Sequence, residues 1–138
     1  MIYVLDASAI LRYLDNGPGA DRVECCINSH IALHDQIVIS AIQWGEVAGV
    51  LLRRHGLSVA IDALNDLQSL DFKLIPATAQ RAQRAAFIKE RINLPYADAF
   101  AVELASDSDK HVLLTADFDF KLAEREIKIE FLPQNPNA

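Results

Sequence analysis

Two aspartates of this sequence come just after predicted strands, where a parallel α/β sheet places its ligands. Asp6 directly follows the apolar run 2–5, and Asp117 comes shortly after a second β-rich run at 111–114. Each aspartate is followed by residues that predict a helix. Right-handed crossovers bring the carboxyl ends of all parallel strands to one edge of a sheet. We therefore expect Asp6 and Asp117 to lie at the same edge.

Two further acids fall on the apolar side of predicted helices. Glu46 shares a stripe with Ile42 and Val50, and Asp98 precedes small or apolar residues at positions 101, 102 and 105. A carboxylate within an apolar stripe is costly unless it has a partner. Each acid also has an ordinary explanation. Glu46 could lie at the exposed margin of its stripe, and Asp98 could interact favourably with the helix dipole from the first turn. Both predicted helices could begin at the edge that carries Asp6 and Asp117.

Four carboxylates that converge in a partly apolar cleft repel one another and raise one another's pKa values. A divalent cation relieves this repulsion, and oxygen ligands alone favour a hard ion, Mg²⁺ or Mn²⁺. Such a site suits the hydrolysis of a phosphodiester bond. Ser8 and Thr115 place hydroxyl groups at matching positions near the two strand ends. The residues thus predict metal-dependent phosphodiester chemistry.

The elements that would position these acids alternate between strand and helix. Five short strands are predicted near residues 2–5, 37–39, 72–75, 112–114 and 127–131. This alternation predicts a three-layer α/β/α fold with a central five-stranded parallel sheet. Residues 1–132 are expected to form a single domain, with residues 133–138 as a frayed C-terminal tail.

Composition narrows the class of protein further. The 138 residues carry 13 basic and 19 acidic side chains, a net charge of −6 that is low for a nucleic-acid binder. Without the four acids the net charge would be only −2, so local patches decide more than the total. No membrane span or signal peptide is predicted. Cys25 and Cys26 are expected to be two buried thiols on a helix, which indicates a reducing compartment, the cytoplasm.

Four segments of this chain carry a resemblance to a known family: residues 4–8 (VLDAS), 39–47 (ISAIQWGEV), 94–100 (LPYADAF) and 114–120 (LTADFDF). In this order and spacing the chain resembles the PIN-domain ribonucleases, and most closely the VapC-type toxins of type II toxin–antitoxin systems. The resemblance implies a toxin that cuts single-stranded regions of RNA, such as tRNA, rRNA or mRNA. It also implies a homodimer and neutralisation by a cognate VapB-like antitoxin.

The same resemblance assigns roles to residues. It implies that Asp6, Glu46, Asp98 and Asp117 form an acidic quartet around Mg²⁺. Asp6 and Asp98 would be bound to the metal most directly. We further expect Glu46 to position or deprotonate water, and Asp117 to complete the charge of the site or to hold a second metal ion. Ser8 and Thr115 match hydroxyl residues that would support the first and last acids of the quartet.

Contacts to RNA phosphates are predicted at four arginines: Arg53, Arg54, Arg81 and Arg84. Residues 81–91 carry a net charge of +3, which fits a phosphate-contacting helix face. An ordinary solvated helix face explains the same pattern. The alternative function is that of a non-catalytic PIN-like module that binds RNA or metal without cutting. A receiver domain and an Asp-x-Asp phosphatase fit less well, because Asp6 has no adjacent acid and Ser8 occupies the second acid's position.

Overall fold

The computed structural model describes residues 1–135, which contain five strands and six α-helices. The strands are β1 (Ile2–Leu5), β2 (Gln36–Ser40), β3 (Lys73–Ile75), β4 (His111–Thr115) and β5 (Lys128–Phe131). The helices are α1 (Ala7–Leu14), α2 (Ala20–Leu33), α3 (Ala41–His55), α4 (Leu57–Gln68), α5 (Ala79–Ile92) and α6 (Tyr96–Ala105), with a 3₁₀ helix at Phe118–Ala123. The predicted strands are confirmed, with ends that differ by at most one residue.

All strands pair in parallel in the order β3-β2-β1-β4-β5. The central strand, β1, places Val4 opposite Val38 of β2 and Leu113 of β4. Apolar residues fill this strand because both of its faces are covered by helices. The predicted three-layer α/β/α fold with a parallel five-stranded sheet is confirmed.

Alternating side chains of the strands build two cores. Tyr3 and Leu5 of β1 point to the core beneath helices α1 to α4. Val4 points to the opposite core, which includes Ile88 of α5 and Phe100 of α6. This two-sided burial fixes the register of β1, because a shift by one residue would exchange its two faces. The strand end that carries Asp6 is therefore held in a defined position.

The cysteines and the C-terminal tail lie outside the sheet. Cys26 is buried but Cys25 is exposed, so the expectation of two buried thiols is wrong for Cys25. Adjacent helical residues point about 100° apart, and α2 has only one face against the core. Two residues of the predicted tail make hydrogen bonds with the domain: the Pro133 carbonyl accepts from Arg12, and Gln134 donates to the Ala116 carbonyl. Residues 136–138 of that tail lie outside the described residues.

The helices of residues 1–135 are each too short or too polar to cross a membrane.

Candidate functional site

Asp6 lies where β1 ends and α1 begins, and its side chain serves both elements. Its backbone is extended, with φ −90° and ψ 176°, and its carboxylate accepts a hydrogen bond from the Ala9 N–H at 3.0 Å. This is the arrangement of a helix N-cap, in which a side-chain oxygen pairs with an unpaired N–H of the first turn. The residue is only 2% exposed. Asp6 is thus a buried carboxylate whose orientation is set by the start of the helix.

Two hydroxyl groups connect the Asp6 carboxylate to the end of β4. Thr115 Oγ1 donates to Asp6 Oδ2 at 2.7 Å, and Ser8 Oγ donates to the same carboxylate at 2.8 Å. The two hydroxyl oxygens in turn accept from backbone N–H groups, those of Asp117 at 3.0 Å and Ala116 at 2.9 Å. Asp6 accepts from three donors, and a carboxylate has about four lone-pair sites, so it can take one further partner.

The four predicted acids line one cavity of about 510 Å³ at the carboxyl edge of the sheet. Asp6 forms its buried end, Asp98 and Asp117 are half-buried, and Glu46 is exposed at the wall. Asp98 comes from the first turn of α6, and Glu46 from the second turn of α3. Four separate segments of the chain therefore supply the acids of this cavity.

Burial raises the pKa values of Asp6, Asp98 and Glu46, and repulsion by neighbouring acids adds to the rise for Asp6 and Asp98. Burial raises the pKa of Asp6 to about 6, against the opposing effect of its hydrogen bonds. Burial also raises the pKa of Asp98 to about 7, and the negative charges of the other three acids add to the rise. The pKa of Glu46 is raised by burial of its carboxyl, although the residue as a whole is exposed. The cavity thus holds more negative charge than its environment stabilises at neutral pH.

The donor set of the cavity suits a hard divalent cation. Within residues 1–135, no three His, Cys, Asp or Glu side chains stand close enough together to hold a metal ion by themselves. The four acids of the cavity offer only carboxylate oxygens, the ligands that Mg²⁺ and Mn²⁺ prefer. Mg²⁺ usually keeps several water ligands and uses only one or two carboxylates directly. A cation in this cavity would also lower the pKa values of Asp6 and Asp98 by offsetting their repulsion.

Gln43 is a part of the site that the sequence did not reveal. The residue is 1% exposed, its Oε1 accepts from the Ala7 N–H at 2.7 Å, and its Nε2 donates to the Ala97 carbonyl at 2.6 Å. The side chain also stabilises the ionised form of Asp98. Gln43 therefore joins the first turn of α3 to the starts of α1 and α6, which carry the residues next to Asp6 and Asp98.

A capping box is the interpretation that sequence alone favours for Gln43, since Ser40 precedes it by three residues. Ser40 is the N-cap of α3, but its hydroxyl accepts from the Ile42 N–H at 3.2 Å, and the Gln43 side chain turns inward. The capping-box prediction is wrong for Gln43. The available signal was its spacing, since Gln43 lies four residues before the buried Val47 on the same helix face.

Gln43→Leu is expected to lower the free energy of unfolding by about 1–3 kcal/mol, the cost of one buried unpaired N–H group. That group is the Ala7 N–H, whereas the Ala97 carbonyl lies in the first turn of α6 and keeps its helical hydrogen bond when Gln43 is lost. Urea denaturation of the variant and of Gln83→Leu, an exposed glutamine on α5, measures the effect. Equal loss in the two variants would contradict the joining role of Gln43.

The acid that caps the 3₁₀ helix is Asp117. The sequence by itself favours Asp119 as the N-cap, but the Asp117 carboxylate accepts from the Asp119 N–H at 2.9 Å, and Asp119 lies within the first turn. The prediction for Asp119 is wrong. Asp117 resembles Asp6 in this respect, because each acid comes after a strand and caps the helix that follows.

The four predicted RNA-contacting arginines occupy two different parts of the molecule. Arg53 lines the cavity of the four acids, and Arg54 lies next to it in the last turn of α3. Arg81 instead donates to the buried Glu103 at 2.6 Å and to Asp107 at 2.8 Å, and its side chain is only 22% exposed. These carboxylates hold Arg81 within the protein.

Arg84 belongs to the same distant group. Its Nη1 lies 3.8 Å from Glu103 Oε2, and it lines a separate cavity with Phe87 and Arg91 of α5. None of the four acids lines that cavity. The placement does not favour the predicted contacts of Arg81 and Arg84 with a phosphate at the acids, whereas Arg53 and Arg54 are well placed.

The fold and this cavity define a class of small parallel α/β domains with a carboxylate-lined cleft at the carboxyl edge of the sheet. The family model of the PIN domain matches residues 3–126 of the chain. The chain therefore belongs to the PIN domain family. A comparison with curated protein sequences found no match.

Solved structures share this fold over most of their length. A chain of the VapBC2 complex from Rickettsia felis, bound to a DNA fragment from their promoter, has a TM-score of 0.74 at 16% identity, covering 96% of this chain and all of that one. VapC20 from Mycobacterium tuberculosis, described as a Sarcin-Ricin loop cleaving toxin, has a TM-score of 0.66 at 22% identity, covering 89% and 95%. VapBC-1 from nontypeable Haemophilus influenzae has a TM-score of 0.65 at 20% identity, covering 95% and 98%.

Proposed function

We propose that this protein is a metal-dependent endoribonuclease, the toxin of a toxin–antitoxin pair. The observation that supports this most directly is the cavity in which four carboxylates from four segments meet at one edge of the sheet. Membership of the PIN domain family and the shared fold of VapBC proteins support the same function. The proposed reaction is hydrolysis of a phosphodiester bond in a single-stranded region of RNA.

The acids divide the chemical work in this proposal. Asp6, Asp98 and Asp117 would hold the metal, one or two of them directly and the others through its water ligands. The hydroxyls of Ser8 and Thr115 orient Asp6 through their hydrogen bonds. When bound, Mg²⁺, or Mn²⁺ in its place, supplies positive charge to the phosphate and lowers the pKa of a water molecule. Glu46 positions the attacking water and takes its proton. Because Glu46 is exposed, that proton can pass on to solvent.

Arg53 and Arg54 are the proposed phosphate contacts. Both are exposed and follow Glu46 on α3, two turns farther along the helix. A positively charged guanidinium group at this wall of the cavity would offset part of the repulsion between the RNA backbone and the acids. Arg81 and Arg84 are left out of the proposal, because Arg81 is bound to Glu103 and Asp107, and Arg84 lines a separate cavity that none of the four acids lines.

The proposed partners follow from the same family relation. Among the solved structures with this fold, several are VapBC complexes, which supports a VapB-like antitoxin as a partner of this chain. We also propose that the protein acts in the cytoplasm as a homodimer. Light scattering of the purified protein, alone and with its antitoxin, measures both associations.

The test of this function is cleavage of a panel of purified tRNA, rRNA and mRNA fragments. We expect cleavage of at least one RNA in the presence of Mg²⁺, complete loss with a chelator such as EDTA, and recovery when Mg²⁺ or Mn²⁺ is restored. Cleavage that persists in the chelator would overturn the metal-dependent mechanism. RNA binding without cleavage under any of these conditions would instead favour a non-catalytic binding module.

A further inference from the structure

A second cavity of about 480 Å³ lies beside the cavity of the four acids. We name it the flanking cavity. It shares three lining residues with the acid cavity: Ser8, Leu11 and Asp117. The remainder of its wall includes Arg54, Phe118 and Gln134. The two cavities are therefore direct neighbours, with Asp117 and Ser8 exposed to both.

Phe118 gives the flanking cavity an aromatic surface at a fixed place. The ring remains 44% exposed, although it packs against Phe131 with centroids 5.2 Å apart and 46° between the planes. Lys121 Nζ lies 5.3 Å from the ring centroid on an exposed, flexible side chain. Because Phe118 directly follows Asp117, the ring has a set position relative to the proposed metal ligand. The apolar ring is thus held in place at the mouth of the proposed active site.

Arg54 places a positively charged guanidinium group in the flanking cavity. Its Nη1 donates to Asp15 Oδ2 at 3.2 Å, and half of the side chain stays exposed. An arginine carries five N–H donors, so a surface pair with one aspartate leaves donors for a phosphate. The ion pair with Asp15 is exposed on both sides, and such pairs hold weakly. Arg54 can therefore turn to a bound anion at little cost.

Hydrogen bonds hold the backbone that forms the wall of the flanking cavity near Phe118 and Arg54. Arg12 Nη1 donates to the Pro18 carbonyl at 2.8 Å and to the Pro133 carbonyl at 3.1 Å. Gln134 Nε2 donates to the Ala116 carbonyl at 2.8 Å. These bonds hold the segment after β5 against α1 and the end of β4, so that the cavity is built from elements tied to the sheet.

We propose that the flanking cavity binds the nucleotide next to the scissile phosphate, with its base stacked on Phe118 and its outer phosphate at Arg54. The inference rests on the proposed ribonuclease function and adds a substrate-binding site to it. Proteins that bind single-stranded nucleic acid combine aromatic rings, on which bases stack, with cations along the backbone. Here both features stand beside the acids. The Lys121 ammonium covers the ring only from an exposed chain, so a base can displace it.

Other exposed aromatic rings lack this setting. Phe87 is 60% exposed and Tyr96 is 43% exposed, but neither is among the residues that line the acid cavity or the flanking cavity. Phe87 is therefore a matched control for Phe118. Arg125, an exposed arginine that lines a cavity near His111, is the matching control for Arg54.

The experiment uses a single-stranded RNA oligomer containing a site that the wild-type protein cuts, with one abasic nucleotide placed on either side of that site. At one flank we expect the missing base to lower kcat/KM by on the order of tenfold. Phe118→Leu should lower kcat/KM on the intact oligomer by a similar factor and lose its response to the abasic nucleotide. Phe118→Tyr should retain both, and Phe87→Leu should behave as wild type.

Arg54→Met supplies an independent measurement. We expect a higher KM and a dependence of log KM on log salt that is shallower by roughly 0.7, the value for one phosphate contact in a single strand. Arg125→Met should leave both unchanged. If Phe118→Leu does not fold, the proposal is tested by the response of the wild-type protein to the abasic oligomers and by the salt dependence of KM in Arg54→Met.

Two failures can be told apart. If the wild-type protein cuts no RNA in Mg²⁺, the proposed function itself is wrong. If it cuts RNA but responds to an abasic nucleotide at neither flank, or if Phe118→Leu retains the wild-type kcat/KM and abasic response, the flanking cavity is not a nucleotide site. An unchanged salt slope in Arg54→Met would likewise remove the phosphate contact from the proposal.

Discussion

Asp6→Asn is expected to lower the rate of RNA cleavage by at least about 10³-fold while leaving the fold intact. The substitution removes the negative charge at the buried end of the cavity, where the proposed metal is held. Metal ions stabilise transition-state charge by several kcal/mol, and about 4 kcal/mol corresponds to a thousandfold in rate. Initial rates on one RNA, measured with excess Mg²⁺, give the ratio.

The fold should survive because asparagine can reproduce most contacts of Asp6. Its side-chain oxygen can still accept from the Ala9 N–H, and its amide group can donate to the hydroxyl oxygens of Ser8 and Thr115. Asparagine is also a good helix N-cap. Circular dichroism and thermal unfolding of the variant establish that a lost activity is not a lost structure.

Asp62→Asn is the matched control, because it makes the same change at an exposed position on α4. We expect this variant to retain full activity. Comparable cleavage by Asp6→Asn and the wild-type protein would show that Asp6 does not hold an essential metal. Loss of activity in both variants would point to overall charge rather than to the site.

The sheet could be predicted from sequence because its strands are short apolar runs that alternate with helical patterns. The run 2–5 is apolar throughout, since β1 is covered on both faces. Asp6 and Asp117 could be placed at one edge because parallel strands joined by right-handed crossovers leave no other arrangement. The position of the acids thus follows from local patterns and from topology alone.

Side-chain partners that come from distant segments could not be predicted in this way. The pattern of α5 is equally compatible with an RNA-binding face, but Arg81 pairs with Glu103, 22 residues farther along the chain. The inward turn of Gln43 depends on backbone groups of Ala7 and Ala97, which only the assembled fold brings within reach. A single helix pattern contains no signal for either contact.

The flanking cavity shows the same limit most clearly. Its wall combines Ser8 with Gln134, which belong to opposite ends of the chain. Phe118 could be predicted as a residue near Asp117, but not as an exposed ring in a cavity. Its exposure depends on how Phe131 and the 3₁₀ helix pack around it.

The metal-free protein is expected to lose stability as the pH rises from 5 to 8, through the acids of the cavity. The pKa of Asp6 is raised to about 6 in the folded state, from 3.8 in an exposed carboxyl, so the folded protein binds more protons than the unfolded chain in this range. The free energy of unfolding therefore falls with pH. Asp6 alone should account for roughly 1–2 kcal/mol, since one pKa unit is worth about 1.4 kcal/mol. The raised pKa of Asp98 adds in the same direction.

Asp6→Asn removes this effect, together with the part of the Asp98 pKa shift that the charge of Asp6 causes, and leaves the groups outside the cavity unchanged. Burial lowers the pKa of His111, which makes the protein more stable as the pH rises toward 6.5 and so opposes the trend of the acids. The lowered pKa values of Asp35 and Glu126 place their titration below pH 5. All three groups are the same in the wild type and the variant. We expect the variant to gain about 1–2 kcal/mol over the wild type between pH 5 and pH 8 in EDTA.

We expect Mg²⁺ to restore the stability that the wild-type protein loses as the pH rises, and to have no such effect in Asp6→Asn. A cation that binds only the folded state at ten times its Kd adds about 1.4 kcal/mol of stability. The gain should be larger at pH 8 than at pH 5, because a protonated carboxyl cannot hold the ion. Urea denaturation at both pH values, with EDTA and with 10 mM-range Mg²⁺, gives the four free energies. If the wild-type protein gained no stability from Mg²⁺ at pH 8, the ion would not bind the folded protein. If Asp6→Asn gained as much as the wild type, the ion would bind elsewhere. Either result would remove Asp6 from the proposed metal site.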